Sequence, residues 1–295
     1  MNCARLCDKI KLKADFVFGK IFTASLSGNA ERNFDMMNFD FSGKVIVVSG
    51  GGSGMGFLTC KRFCEMGGSA VLSDINKETL DKCVDEINAI REGAAVGVVC
   101  DVRNYDEVCN VCRKAIDTYG RIDAVVPFAG GAELRVLHDV WKSHTDSNEF
   151  CDIPIEIYDW SLDVNLRSQM YFDHAATKYM REQKSGVLIH IGSVTGQEGC
   201  YDSIGYATAK SGAMNGLTKS MALFGAKYGI RCNCVAPGPV LTRPGMANMK
   251  TLEGRAAEPS EIVDLVLYLI SDDGSFFNGV TLLCDGGRSI MWNRS

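Results

Sequence analysis

The chain has 295 residues, 46% hydrophobic and 23% charged, with a formal net charge of −5. This excludes a wholly disordered, collagenous or low-complexity chain, and it offers no broad basic face to a nucleic acid. No uninterrupted apolar run reaches about 18 residues, so no membrane partner is expected.

Residues 1–40 mix Lys9, Lys11, Lys13 and Lys20 with Asp8 and Asp15 and carry no clean period. They lack an apolar stretch followed by a small-residue cleavage site, and they are too acidic for a transit peptide. We expect a poorly ordered N-terminal extension over 1–40, with Met36 or Met37 as a possible natural start. One domain should occupy 41–295. From residue 44 onward, β-branched runs alternate with helical stretches. Strands are predicted at 45–49, 70–73, 95–100, 124–127, 187–192, 231–235 and 280–284. Helices are predicted near 54–67, 77–91, 104–119, 156–183, 204–228 and 259–271. Such alternation implies an α/β fold, a doubly wound parallel sheet of about seven strands with helices on both faces. No repeat or linker divides it.

The first strand runs straight into "GGSGMG" and then a helix. Gly50, Gly54 and Gly56 allow a tight turn and close approach of backbone to a pyrophosphate. The free N–H groups and dipole at the helix start face the negative charge. Ser53 and Met55, between the glycines, join them as cofactor-binding residues. Asp74 closes the second strand, 18 residues after Gly56. A carboxylate there can accept hydrogen bonds from both ribose hydroxyls and repels a 2′-phosphate. Ser53 supplies no cation, so NAD is favoured over NADP. Taken alone, Asp74 also reads as a surface turn acid beside Asn76.

"GYATAK" holds Tyr206 and Lys210 four residues apart, on one helix face. Ser193 ends a strand 13 residues before Tyr206. A free tyrosine has a pKa near 10, and a neighbouring ammonium favours the phenolate. Tyr206 can then exchange a proton with an alcohol or ketone while Ser193 holds the oxygen. With the glycine turn, "CDV" at 100–102, Asn165 in "DVNL" and "APG" at 236–238, the chain resembles the short-chain dehydrogenase/reductase family over about 41–288. The resemblance implies a catalytic set of Asn165, Ser193, Tyr206 and Lys210. Lys210 would also hold the nicotinamide ribose, and Asn165 would steady a relay water or simply bridge backbone. By the same resemblance, Asp101 and Val102 flank the adenine, and Ala129 and Gly130 pass under the adenosine ribose. Pro237, Val240 and Thr242 meet the nicotinamide carboxamide. A homodimer or homotetramer is also implied.

Two departures stand out. The family's usual Asn-Asn-Ala-Gly is here Pro127-Phe128-Ala129-Gly130, which removes a side chain that ties neighbouring strands and places a residue without an N–H. The stretch from Gly130 to Asn165 is long and that from Gly238 to Pro259 short. The upstream loop should therefore help wall the substrate pocket, with Phe128, Trp141, Met246 and Met249.

The 13 cysteines are scattered and odd in number, which reads as buried or partly buried free thiols in a reducing cytoplasm. Cys109 and Cys112 lie inside a helix without a second pair, so no metal is expected. The expected function is NAD(H)-dependent interconversion of a secondary alcohol and a ketone. The substrate could be a sugar or polyol, a hydroxysteroid or another small metabolite. A 3-oxoacyl carrier-protein reductase and a silent nucleotide-binding regulator are the alternatives.

Overall fold

Seven short runs rich in valine and isoleucine pair side by side, every ladder parallel. They are β1 (Val45–Ser49), β2 (Ser69–Asp74), β3 (Ala95–Val99), β4 (Ala124–Pro127), β5 (Gly186–Ile191), β6 (Ile230–Pro237) and β7 (Thr281–Cys284). The order across the sheet is β3-β2-β1-β4-β5-β6-β7. The winding direction reverses between β1 and β4, where an open α/β sheet leaves a crevice beyond its strand ends. The computed structural model describes residues 39–133, 149–242 and 244–292. What the sequence led us to expect of residues 1–38 and of Trp141 lies outside them.

Side chains alternate along each strand and so feed two cores. Ile46 and Val48 of β1 face α1 (Gly54–Glu65), α2 (Lys77–Ile90) and a C-terminal helix, Pro259–Ile270. Val45 and Val47 face α3 (Tyr105–Tyr119) and the helices between β4 and β6. Phe63 and Phe172 are fully buried, one in each core. Cutting either to alanine should cost about 3–5 kcal/mol.

The first core extends further upstream than the sequence indicated. Phe41 is buried and stacks on Phe63, with ring centroids 4.3 Å apart, and Phe39 packs on Phe41 and Tyr268. Residues 39 and 40 therefore belong to the compact unit that starts at Phe39, not to an extension.

Local chemistry sets the helix starts. The Asn76 side chain accepts from the Thr79 N–H to cap α2, and Asn104 accepts from Asp106 and Glu107 to cap α3. Each such cap is worth about 1 kcal/mol. The stretch predicted as one helix over 156–183 is α4 (Ile155–Leu162), a π-turn (Asp163–Arg167) and α5 (Ser168–Gln183). The stretch over 204–228 likewise divides. After a short α6 (Val194–Glu198) come α7 (Ile204–Gly212), a π-turn (Ala213–Leu217), α8 (Thr218–Gly225) and a 3-10 turn; α9 is Pro259–Ile270. Each π-turn spans a single turn of continuous helix, too short a window for apolar periodicity to separate from the α-helix on either side.

Pro127 fits its strand for a specific reason. β4 pairs with β5 only at Ala124 and Val125, so no β5 carbonyl seeks an N–H from Pro127. The missing asparagine tie is made up nearby. The buried Ser49 hydroxyl accepts the Ala129 N–H at 3.3 Å, and the Ser49 carbonyl accepts the Phe128 N–H at 3.0 Å.

Candidate active site

The crevice at the β1/β4 reversal holds two adjoining clefts that share Met55, Phe128, Gly130 and Thr242. The larger, about 570 Å³, is built around the glycine turn. Gly50 has φ +68°, and a Cβ there would meet the Ala129 nitrogen at 2.9 Å. A Cβ on Gly56 would sit 2.2 Å from the Gly50 carbonyl oxygen. Unlike α2 and α3, α1 has no side chain on its first-turn N–H groups, although Ser53 occupies the N-cap. Those donors and the glycine hollow fit a pyrophosphate.

Asp74 stands at the far side of the same cleft. Its Oδ2 accepts the Gly52 N–H at 3.1 Å and its Oδ1 the Asn76 N–H at 3.0 Å. The carboxylate is thus fixed against the glycine turn. Asp101 and Val102 line the cleft with Ala129 and Gly130. Arg103 is the one cation among the described lining residues. It is held in a fork by Asp101, with contacts of 2.6–3.1 Å, and the guanidinium keeps the Asp101 carboxyl below the usual carboxylate range. The sequence reading missed Ile75, Cys100, Arg103, Trp160 and Val164, which also line this cleft. Of these, all but Trp160 carried a local clue, being beside residues already singled out.

The smaller cleft, about 320 Å³, is lined by Ser193, Tyr206, Lys210, Pro237, Val240 and Thr242. β5 carries Ser193 just past its end, where the Ser193 hydroxyl oxygen accepts the Thr195 N–H at 3.2 Å and caps α6. Tyr206 and Lys210 project from one face of α7. The Lys210 ammonium donates to the Ile191 carbonyl at 2.8 Å and lies 5.5 Å from the Tyr206 ring centre. Burial pushes its pKa down to about 8. Phe128, Met246 and Met249 are on the wall, as is Cys200.

Asn165 stands behind the clefts, in the π-turn between α4 and α5. Its Oδ1 accepts the Gly131 N–H at 3.0 Å, and its Nδ2 donates to the Gly131 and Ser161 carbonyls, both at 2.9 Å. With both N–H groups committed, its side chain can offer a water only an acceptor. The sequence reading also missed Glu133, a buried carboxylate at the start of α7.

Among the described residues no three His, Cys, Asp or Glu side chains converge on a metal position. No described helix is long and apolar enough to cross a membrane. Cys112, Cys232 and Cys234 are buried free thiols, and Cys109 is half-buried; Cys151, by contrast with the expectation, is exposed.

The sheet order and glycine hollow define a Rossmann-type protein. A family model described as short chain dehydrogenase matches residues 44–253. The cyclohexanol dehydrogenase of Acinetobacter sp. (strain SE19) is 32% identical over 258 residues, covering 85% of this chain and 97% of that protein. The 3beta-hydroxysteroid dehydrogenase 2 of Eggerthella lenta is 32% identical over 263 residues, 84% of this chain and 95% of that one. The solved structure of levodione reductase matches with a TM-score of 0.74 and 28% identity, over 85% of this chain and 100% of that one. The chain belongs to the short-chain dehydrogenase/reductase family of oxidoreductases.

Proposed function

We propose that the protein interconverts a secondary alcohol and its ketone, with NAD(H) as hydride carrier. One observation carries the reading. Tyr206 and Lys210 share a helix face that lines a cleft opening onto the glycine hollow. Bound in the larger cleft, the cofactor takes up or supplies the hydride. Gly50, Ser53, Gly54, Met55 and Gly56 would hold its pyrophosphate, and Asp74 its adenosine ribose. Arg103, the one cation among the described residues that line the cleft, already has its charge paired by Asp101, which favours NAD over NADP.

During oxidation Tyr206 accepts the alcohol proton, and during reduction it returns one to the carbonyl oxygen. The Ser193 hydroxyl donates a hydrogen bond to that oxygen where charge develops. Lys210 supports the phenolate electrostatically and offers its remaining N–H donors to the nicotinamide ribose. Asn165 holds the Gly131 backbone that floors the cleft.

Apart from Lys210, the described wall of the smaller cleft has no charged side chain, and Phe128, Val194, Cys200, Met246 and Met249 give it an apolar and polarisable character. We therefore assign an uncharged, largely apolar substrate of alicyclic type. The similarity to cyclohexanol dehydrogenase and levodione reductase supports this. Exposed Met170 on α5 with Leu223 and Phe224 on α8 supports a dimer contact along these helices. The free thiols fit a reducing compartment. NADH absorbance with cyclohexanol, a hydroxysteroid and a polyol tests the reading. Cofactor binding without turnover of any alcohol or ketone would sink it.

A further inference from the structure

Glu133 is 1% exposed, and among the described residues no ion pair compensates it. Its partners are neutral donors. Oε1 accepts the Gly205 N–H at 2.8 Å, and Oε2 accepts the Tyr206 N–H at 3.0 Å and the Ser161 hydroxyl at 3.1 Å. A buried carboxylate costs several kcal/mol unless hydrogen bonds recover it. Here the recovery comes from the first turn of α7, where backbone donors have no helical acceptor. Ser203, at the N-cap, makes no side-chain capping bond. Glu133 thus does from a position 72 residues upstream of Gly205 what a capping residue does locally.

The main chain it grips is that of Tyr206 itself, and Lys210 follows one turn later. Its third donor leads to the other catalytic region. Ser161 offers its carbonyl to Asn165, and Asn165 clamps Gly131 by both its N–H and its carbonyl. Gly131 and Ala132 line the smaller cleft. The strip 131–133 is therefore laced to the π-turn at one end and to the head of α7 at the other. Gly205 permits the approach: a Cβ there would meet Tyr158 Cδ1 at 2.9 Å and Glu133 Oε1 at 3.3 Å.

We propose that Glu133 is a positioning residue for the dehydrogenase reaction, setting the depth and rotation of α7 and so the place of the Tyr206 phenol beside Ser193. The assignment rests on the dehydrogenase reading above. The test uses Glu133→Leu and Glu133→Gln in the full chain. It reads amide hydrogen exchange of the 203–212 segment, NADH affinity, and kcat and KM per NADH-binding site.

Leucine fills the space without accepting. It should speed exchange of the segment and lower kcat by about tenfold or more, with NADH affinity held within about threefold. Glutamine should be milder than leucine in both, because its amide oxygen in the Oε1 place still accepts the Gly205 N–H and the longer Tyr206 N–H bond, while its NH₂ gives up the Oε2 acceptor and donates to Ser161 Oγ. If Glu133→Leu does not fold, Glu133→Asp, one methylene short, serves with the same readouts. Unchanged exchange in the leucine variant, kcat per site within about twofold of wild type, or a folded glutamine variant as impaired as leucine overturns the proposal. Wild-type protein inert toward every alcohol and ketone defeats the dehydrogenase reading instead. The exchange measurement still decides the role of Glu133 in that case.

Discussion

Lys210 donates to the Ile191 carbonyl at 2.8 Å while lying 5.5 Å from the Tyr206 ring centre, buried and with no carboxylate beside it among the described residues. The Lys210 ammonium is therefore held at a cost to the fold.

That cost has a sign that can be measured. Burial lowers the Lys210 pKa from 10.5 to about 8. At pH 7 the group is charged in both states, and folding bears the full desolvation. Between the two values the unfolded chain keeps a proton that the folded chain has shed, so stability from this group rises with pH. Lys210→Met should raise stability at pH 7 by roughly 1–3 kcal/mol, allowing for the lost Ile191 bond, and abolish turnover. The advantage should vanish as pH rises toward 10.5. Calorimetry at both ends of that window checks this; a less stable methionine variant at pH 7 contradicts it.

Tyr206→Phe removes the proton donor and leaves the α7 backbone and its Glu133 cap in place. Turnover should fall by about 10²–10⁴-fold. NADH binding, followed by fluorescence, should change only a few-fold. Equal losses in both would mean that Tyr206 mainly holds the cofactor.

Gly56→Ala would place a methyl 2.2 Å from the Gly50 carbonyl oxygen, and backbone cannot move aside cheaply. Dinucleotide affinity should drop by at least about tenfold, since a displacement near 1 Å can cost far more at a close-fitted site. Isothermal titration with NADH reads the loss directly. Gly54→Ala meets no neighbouring atom, but its φ of +55° carries backbone strain, so it should be the milder of the two.

Asp74→Ser should shift cofactor preference toward NADP by weakening NAD and lifting the repulsion of a 2′-phosphate. The ratio of kcat/KM for the two cofactors is the measurement. The added Asp101→Asn change, which frees Arg103, should move it further in the same direction. A ratio unaltered by either change would place the ribose elsewhere.

The sheet was legible because parallel strands buried on both faces leave near-continuous apolar runs such as Val45–Val48. The glycine turn and the shared helix face of Tyr206 and Lys210 were legible because their geometry is local: a turn between a strand and a helix, and two residues one helical turn apart. Glu133 carried no such signal. Its partners lie 28 to 73 positions away, and only the folded chain brings them together. The same holds for Ser49 and Ala129, 80 positions apart, whose bond replaces an asparagine tie. Helical periodicity gave no hint of the π-turn that holds Asn165, since one turn is too short a window for it to register.

The pairing of β1 with β4 has a kinetic side. Ile46 meets Ala124, and the Val45 N–H is taken by Asp123 Oδ2, a partner 78 positions away. That closure must be made before the crevice has both of its sides, and loop entropy makes such long-range joining slow. A growing chain that has delivered only β1 to β3 holds the glycine turn without its opposite wall at Phe128 and Ala129. Competence to hold a dinucleotide should therefore emerge late in refolding, together with the central ladder. Cofactor added during refolding would act as a trap for the finished fold and not as a template for its beginning.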